Sequence, residues 1–353
     1  MAPDLCSAST AEYCGNNRGV AVGTCIISTL AFVDDLLDMS QDVSDAEKAN
    51  INAVAFSCLK KMLFNAQGKC KGMIVNKKSS DAQPSMFIRD KRIELLSHVD
   101  YLGDIFQQNG RNSELVKDRL KRGLKVILKI EAIMSEVQFG KHTIIVSLLL
   151  YKALFLSSIL FNSQAWRNFT KKDFSELQTL QLRLLKKLVS APSSISSSFL
   201  FLELGILPIK FEIHKRQLTF LHHIVNLTAD DPEKMLYENM KRLPFEANWL
   251  SDVLKLAAQY SINIEEQRLK SISKDTFKSR VKSAINEYAF NELKAECITQ
   301  SKTKNLIYNM FEMQPYLMNL YPSQSKIILQ YRAQCLKIKT SAVPIFQQDL
   351  SVV

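Results

Sequence analysis

The segment Thr24–Met39 reads TCIISTLAFVDDLLDM, and the organisation of the chain is interpreted from it. Two apolar runs, Ile26–Phe32 and Leu36–Met39, flank the adjacent carboxylates Asp34 and Asp35. Apolar runs on either side of a short polar tip predict a β-hairpin with an acidic turn. Two neighbouring carboxylates repel unless a cation lies beside them, and Mg²⁺ takes oxygen ligands. The tip therefore predicts a metal site suited to phosphoryl transfer. The alternative is a solvated turn, where Asp is common.

The composition indicates the fold class and the compartment. A chain of 353 residues with 46% hydrophobic residues can form about two domains with sizeable cores. Ten glycines and nine prolines are few, which favours a helix-rich chain with short connections. Seven scattered cysteines indicate free thiols in a reducing compartment, and the first residues lack the features of a signal peptide. We expect an intracellular protein of the nucleus or cytoplasm that is not secreted.

The positive charge is concentrated in one part of the sequence. The net charge is +11, and residues 111–190 hold fifteen Lys and Arg against six Asp and Glu, which leaves +9. Ser113 begins a predicted helix that runs to about Val137. Its predicted apolar face consists of Val116, Leu120, Leu124, Ile127 and Leu128. Basic residues recur along it: Lys117, Lys121, Lys125 and Lys129, with Arg119 and Arg122 beside them. Such a stripe can follow a phosphate backbone. The alternative is a solvated helix face.

Other segments complete the predicted architecture. The pattern predicts a helix over Asp42–Phe64 that starts at Ser44, a short strand at Met73–Val75, and a second hairpin within residues 86–106. Lysines border the short strand, and one of them can serve as a general acid, although solvated lysines at a strand end are common. Ile144–Leu160 is apolar but shorter than the roughly 20 residues of a membrane span, so a buried helix and no membrane partner are expected.

The order of four segments resembles a known family. They are Phe32-Val33-Asp34-Asp35, then Asn65–Val75, then Tyr101-Leu102-Gly103, then the basic helical unit. Together they resemble the C-terminal half of a reverse transcriptase, an RNA-directed DNA polymerase, from a non-long-terminal-repeat (non-LTR) retrotransposon, a transposable element. The likeness covers roughly Gly23 to Asn226, and Leu202–Pro208 also has the look of this family.

The resemblance implies roles for individual residues. In an intact parent enzyme, Asp34 would coordinate the catalytic Mg²⁺ ions and Asp35 would support the acidic tip. Lys69 would act as proton donor or phosphate contact, and Tyr101, Leu102 and Gly103 would form the primer grip. The implied partners are an RNA template and a DNA primer.

The sequence also departs from this family. The family's fingers and the palm motifs A and B lie before the acidic hairpin, and motif A supplies an aspartate that shares the metal ions. Only Asp4 and Glu12 precede Asp34 here, and neither lies in an apolar strand context. We therefore expect an incomplete Mg²⁺ site at Asp34 and Asp35, no catalytic activity of the chain by itself, and no cofactor requirement of its own.

The predicted fold class is α+β and mostly helical. A truncated palm, a short antiparallel sheet with a helix, is followed by a helical thumb and further helices. The predicted boundaries are an irregular N-terminus at 1–20, the partial palm at 21–110, the thumb at 111–190, a linker at 191–198 and a helical region at 199–353. Two alternatives to the polymerase fragment are a non-catalytic nucleic-acid-binding module and a relic without selected function.

Overall fold

The computed structural model of the protein describes residues 19–22, 25–32, 35–59, 69–76, 84–137, 139–243 and 248–336. The chain is mostly helical with small, mainly antiparallel sheets, as expected for the α+β class. The predicted irregular segment 1–20 lies outside the described residues except at its last two positions.

The acidic hairpin is present. Strand β1 (Val20–Val22) pairs with β2 (Cys25–Ile27), and β3 (Thr29–Phe32) pairs antiparallel with β4 (Asp35–Asp38). In the second pair Phe32 lies opposite Asp35, and the two residues between them are outside the described residues.

The remaining strands form further two-stranded ladders rather than one palm-like sheet, within the part of the chain that the structure describes. They are β5 (Lys71–Gly72) with β8 (Glu94–Leu95), β6 (Phe87–Ile88) with β7 (Lys91–Arg92), and β9 (His98–Tyr101) with β10 (Asp104–Gln107). The β5–β8 ladder is parallel and the other two are antiparallel. The prediction of a strand at Met73–Val75 is wrong, because the paired residues are the two that precede it. The second hairpin is confirmed as β9–β10.

The first helix, α1 (Val43–Leu59), starts one residue before the predicted position. The backbone N–H of Asp45 donates to Oδ1 of Asp42 at 2.8 Å, so Asp42 rather than Ser44 satisfies a free donor of the first turn. The predicted continuation to Phe64 lies outside the described residues.

The long basic helix is also confirmed, as α2 (Ser113–Glu136). Leu115, Val116, Ile127 and Ile130 are buried, whereas Leu124 and Leu128 are exposed, Leu128 to 65%. The predicted apolar face is therefore correct at Val116 and Ile127 and wrong at Leu124 and Leu128, which lie on the side of the lysines.

A chain of further helices follows α2. They are α3 (Thr143–Leu150), α4 (Ser157–Ile159), α5 (Lys171–Leu188), α6 (Ser197–Leu204), α7 (Ile209–Val225), α8 (Pro232–Arg242), α9 (Trp249–Gln259), α10 (Glu266–Ser271), α11 (Lys274–Thr299), α12 (Pro315–Asn319) and α13 (Pro322–Arg332). The predicted linker at 191–198 covers most of the connection between α5 and α6, and its last two residues belong to α6. Ile195 within it is buried, and Lys186 donates to the carbonyl of Ser193 at 2.7 Å, so this segment is packed.

The apolar segment predicted as a buried helix combines α3, a π-helical turn at Tyr151–Leu156 and α4. One side is buried, including Ile144 and Phe155. By length and composition alone, Gly140–Ile159 could cross a membrane. An 18-residue window within it has a mean hydropathy of 1.7, and 39% of that window is buried inside the protein.

The chain divides into two compact units, each assembled from several segments. Unit 1 contains Met1–Arg122, Leu160–Leu177 and Ile213–Ala284, and unit 2 contains Gly123–Ile159, Gln178–Glu212 and Ile285–Val353.

Unit 2 contains a buried carboxylate at the end of α6. Glu203 has no exposed surface and accepts hydrogen bonds from the hydroxyls of Tyr308 at 2.5 Å and Tyr316 at 2.6 Å. Arg332 pairs with the same carboxylate through Nη2 at 2.9 Å and Nε at 3.0 Å. Gly205, two residues after Glu203, has φ 58°, and a Cβ there would lie 2.6 Å from the backbone of Met313. The Leu202–Pro208 segment thus joins a buried charge to a turn that requires glycine.

Candidate nucleic-acid interface

The acidic tip of the β3–β4 hairpin is partly described. Asp35 is the first residue of β4 and is exposed, whereas Asp34 lies outside the described residues. At the other end of the hairpin the hydroxyl of Thr29 donates to Asp38 at 2.7 Å, and Met39 N–H donates to the carbonyl of Ser28 at 2.6 Å. These bonds close the end of the hairpin that lies opposite Asp35.

The Tyr101-Leu102-Gly103 segment forms the turn of the β9–β10 hairpin. Tyr101 lies opposite Asp104 in the ladder, so Leu102 and Gly103 are the two turn residues. Both have positive φ, 48° and 81°, as a type I′ hairpin turn requires. A left-handed conformation costs a leucine about 1–2 kcal/mol. The hairpin therefore holds Leu102 in an unfavourable conformation.

The two hairpins meet through Tyr101. Its hydroxyl donates to the carbonyl of Leu30 in β3 at 3.3 Å. Burial and, second, the negative charge of Asp35 raise the pKa of the Tyr101 hydroxyl. The hydroxyl therefore stays protonated, as a donor, at neutral pH. Two segments some 70 residues apart in sequence are thus in contact.

Arg119 is not part of the exposed basic stripe, so that prediction is wrong. Its side chain is fully buried and pairs with the carboxylate of Asp104. One nitrogen, Nη2, also donates to the carbonyls of Gly103 at 3.1 Å and Phe161 at 3.4 Å. The guanidinium lies 5.7 Å from the ring centroids of Phe161 and Trp166, a cation–π distance. Burial lowers the pKa of Arg119, and the charge of Asp104 opposes that shift.

Arg122, one turn further along α2, contacts the same hairpin. Its Nη2 donates to the Gly103 carbonyl at 3.4 Å, and its Nε pairs with Asp118 at 2.7 Å. Its side chain is half-exposed. Arg122 therefore supports the turn and keeps part of its surface open to a ligand.

The segment that Arg119 contacts, residues 160–167, is held by side chains from helices α7 and α9 and from Asn112, which precedes α2. They donate to its backbone carbonyls: Arg216 to Leu160 at 2.8 Å, Gln217 to Trp166 at 2.8 Å, Trp249 to Gln164 at 2.9 Å, and Asn112 to Arg167 at 2.5 Å. A segment without regular structure over most of its length is thus fixed by hydrogen bonds to side chains.

Three buried donors in this neighbourhood have no hydrogen-bond partner among the described residues. They are Nε of Arg119, Oγ of Ser163 and Nε1 of Trp166. A buried polar group left unpaired costs about 1–3 kcal/mol. Three such donors in one neighbourhood are therefore unfavourable for stability unless water hydrates them.

The four lysines of the predicted stripe are exposed on α2, in agreement with the expected geometry. Lys117 pairs with Glu114 at 2.7 Å, which pulls the pKa of that carboxyl below its usual range, since the hydrogen bond favours its charged form. Leu124 and Leu128 emerge among the same lysines. The face combines positive charge with apolar surface.

The described residues do not complete a metal site. No group of three or more His, Cys, Asp or Glu side chains with suitable spacing occurs among them. Asp35 contributes one exposed carboxylate, and Lys69 lies exposed in the turn before β5. We derive no metal-dependent step from this arrangement.

Sequence reasoning missed Asp104 and the true position of Arg119. A signal was available, because Arg119 lies three residues after the apolar Val116 and four before Gly123, on the buried stripe of the helix. A charged residue on such a stripe indicates a buried partner. Several carboxylates are near in sequence, Asp100, Asp104 and Asp118 among them, and only the structure shows that Asp104 is the nearest to Arg119.

Comparison with known proteins gives no further assignment. No protein-family model matches this chain, and no curated protein sequence matches it.

Proposed function

We propose that this chain is the palm-and-thumb fragment of a non-LTR reverse transcriptase, inactive alone as an RNA-directed DNA polymerase, that binds an RNA–DNA primer–template. The observation that carries the proposal is the hydrogen bond from Tyr101 to Leu30, because it joins the segment resembling the primer grip to the acidic hairpin. A primer end held by the Tyr101 hairpin would lie beside the acidic hairpin.

The exposed face of α2 supplies the binding energy in this proposal. Each lysine that neutralises a phosphate releases counterions, so binding weakens as salt rises. The half-exposed side chain of Arg122 extends the positive surface toward the Tyr101 hairpin. In an intact parent enzyme, Asp34 and Asp35 with an upstream aspartate would hold Mg²⁺, whose role is to stabilise charge on the transferred phosphoryl group.

The test is the salt dependence of binding to an RNA–DNA primer–template. The variant carries Lys117→Gln, Lys121→Gln, Lys125→Gln and Lys129→Gln. If each lysine neutralises one phosphate, the slope of log Kobs against log salt should become less steep by about 3–4. The control variant makes the same charge change at exposed lysines of other helices and connections: Lys255, Lys282, Lys302 and Lys326.

We expect the control variant to change the slope by less than about 1. Equal changes in the two variants would contradict the assignment of the interface to α2. Magnesium-dependent primer extension by this chain, abolished by Asp34→Asn, would contradict the proposed inactivity.

A further inference from the structure

The arginine that was expected to touch nucleic acid has another role. We infer that Arg119 is a positioning residue: with Asp104 it fixes the Tyr101–Asp104 turn between helix α2 and the acidic hairpin. The inference rests on the proposed function for its consequence at a primer end. Its structural part can be tested without nucleic acid.

First, an ion pair between Arg119 and Asp104 connects helix α2 to the hairpin turn. Asp104 is the first residue of β10 and only 14% exposed, and Arg119 is 0% exposed. The Arg119 guanidinium pairs with Asp104 and also contacts the carboxylate of Asp118 at 3.5 Å, so removal of Arg119 takes from the mostly buried Asp104 its ion-pair partner. The pair therefore fixes the end of the turn to the second and third turns of α2.

The second step is the carbonyl of Gly103. It accepts hydrogen bonds from both Arg119 and Arg122, at 3.1 and 3.4 Å. Two arginines on successive turns of one helix thus orient one peptide group of the hairpin turn. A Cβ at Gly103 would lie 3.4 Å from the Phe161 ring, so the turn is also packed against the segment that Arg119 holds.

The third step is the connection to the acidic hairpin. Tyr101 precedes the turn, and its hydroxyl contacts the backbone of β3. A continuous series of contacts therefore runs from Arg119 through Gly103 and Tyr101 to the strand that leads to the acidic tip. The strained Leu102, and an Nε of Arg119 that finds no hydrogen-bond partner among the described residues, fit a site in which geometry is held at the expense of stability.

The first experiment measures hydrogen exchange of the full chain without nucleic acid. Arg119→Gln should accelerate amide exchange in both 98–107 and 29–38 by about tenfold, because the turn loses its fixed position. The matched control is Arg216→Gln, which removes a donor to Leu160 in the same held segment. The control should leave exchange in both hairpins unchanged.

A conservative variant separates positioning from a general loss of folding. Arg119→Lys keeps the charge beside Asp104 but cannot make the forked contacts, so it should restore part of the protection. Exchange in α11 should stay unchanged in both Arg119 variants. If Arg119→Gln leaves the hairpins as protected as in the wild type, or if the control loosens them equally, the inference is wrong.

The second experiment adds a primer–template with 2-aminopurine at the 3′-terminal primer nucleotide. We expect Arg119→Gln to bind within about threefold of the wild-type affinity, because the exposed lysines are intact. The fluorescence change of the terminal base should be lost, and Arg119→Lys should recover part of it. An unchanged signal in Arg119→Gln would overturn the inference. Failure of the wild type to bind at all would instead contradict the proposed function, and the exchange result would still decide the role of Arg119.

Discussion

Two buried arginine–carboxylate clusters, one in each compact unit, differ in which partner is buried. In unit 2 the carboxylate of Glu203 is fully buried, and Arg332 is 27% exposed. In unit 1 the guanidinium of Arg119 is fully buried, and Asp104 is closer to the surface. Both clusters tie a turn to a helix. They differ in how completely their polar groups are satisfied.

The cluster in unit 2 is fully satisfied. Glu203 receives two phenolic hydroxyls and two guanidinium donors, which matches the capacity of a carboxylate. Burial, followed by the charge of Glu203, raises the pKa of Tyr308 and Tyr316, so both remain donors at neutral pH. Around Arg119, three buried donors lack partners within the part of the chain that the structure describes. The comparison fits a fold anchor in unit 2 and, under the proposed function, a constrained site in unit 1.

The largest predicted effect tests this difference. Glu203→Gln should lower the free energy of unfolding by about 3–5 kcal/mol, because a buried ion pair loses one partner. Arg119→Gln should cost less, about 2 kcal/mol, since Asp104 is close enough to the surface to be hydrated. Urea denaturation measures both.

A matched control for Glu203 is available in the same unit. Glu312→Gln changes an exposed carboxylate and should alter the free energy of unfolding by less than about 0.5 kcal/mol. If Arg119→Gln proved more destabilising than Glu203→Gln, the distinction between anchor and constrained site would fail.

A second prediction concerns strain in the hairpin of unit 1. Leu102→Asn should stabilise the chain by about 1 kcal/mol, because asparagine tolerates the left-handed conformation better than leucine. Gly103→Ala should have the opposite sign, since it places a Cβ at positive φ and against Phe161. Thermal unfolding of both variants checks that Leu102→Asn raises the stability of the chain and that Gly103→Ala lowers it. A stabilising Gly103→Ala would show that the turn is not the one described.

The smallest effect belongs to a surface network that contrasts with both buried clusters. Glu266 lies between Lys270 at 2.8 Å and Lys241 at 2.9 Å, and these partners lower its pKa to about 2. Because the pKa is lowered on folding, the stabilisation is fully present above the ordinary pKa of a glutamate and is lost as pH falls through about 2.

Unfolding measured between pH 5 and pH 2 tests this network. The wild type should lose stability as pH falls, whereas Glu266→Gln should show a flatter curve. The difference should stay below about 1 kcal/mol and shrink in high salt, because the side chains are partly exposed. A difference that persists in high salt would contradict a surface interaction.

Much of the fold was accessible from the sequence where local pattern determines structure. The helices around Ser113–Glu136 and Ile144–Leu160, and the hairpin with its turn at Leu102-Gly103, followed from periodicity and turn chemistry. The strand near Gly72 was misplaced because its partner, β8, is more than twenty residues away and pairs over two residues only. Short ladders of this kind leave almost no periodic signal.

The site was predicted less completely. The exposed lysines followed from their spacing, but Arg119 was assigned to the same surface, because a count of charges does not distinguish the two sides of a helix. Its partners come from two segments, the hairpin with Asp104 and the segment 160–167 with Phe161 and Trp166, which only the tertiary structure brings together. The Glu203 cluster depends on Tyr308, Tyr316 and Arg332, which are more than 100 residues away in sequence.

The most direct test of the account is to locate a primer end relative to the Tyr101 hairpin. Tyr101 is replaced by p-benzoylphenylalanine and the full chain is photo-crosslinked to a labelled RNA–DNA primer–template, with the same replacement at the exposed Lys125 as a reference. The account predicts that position 101 crosslinks at the 3′-terminal nucleotide of the primer, and position 125 within the duplex. Crosslinks from position 101 that are spread along the duplex, or that are absent while position 125 reacts, would contradict it.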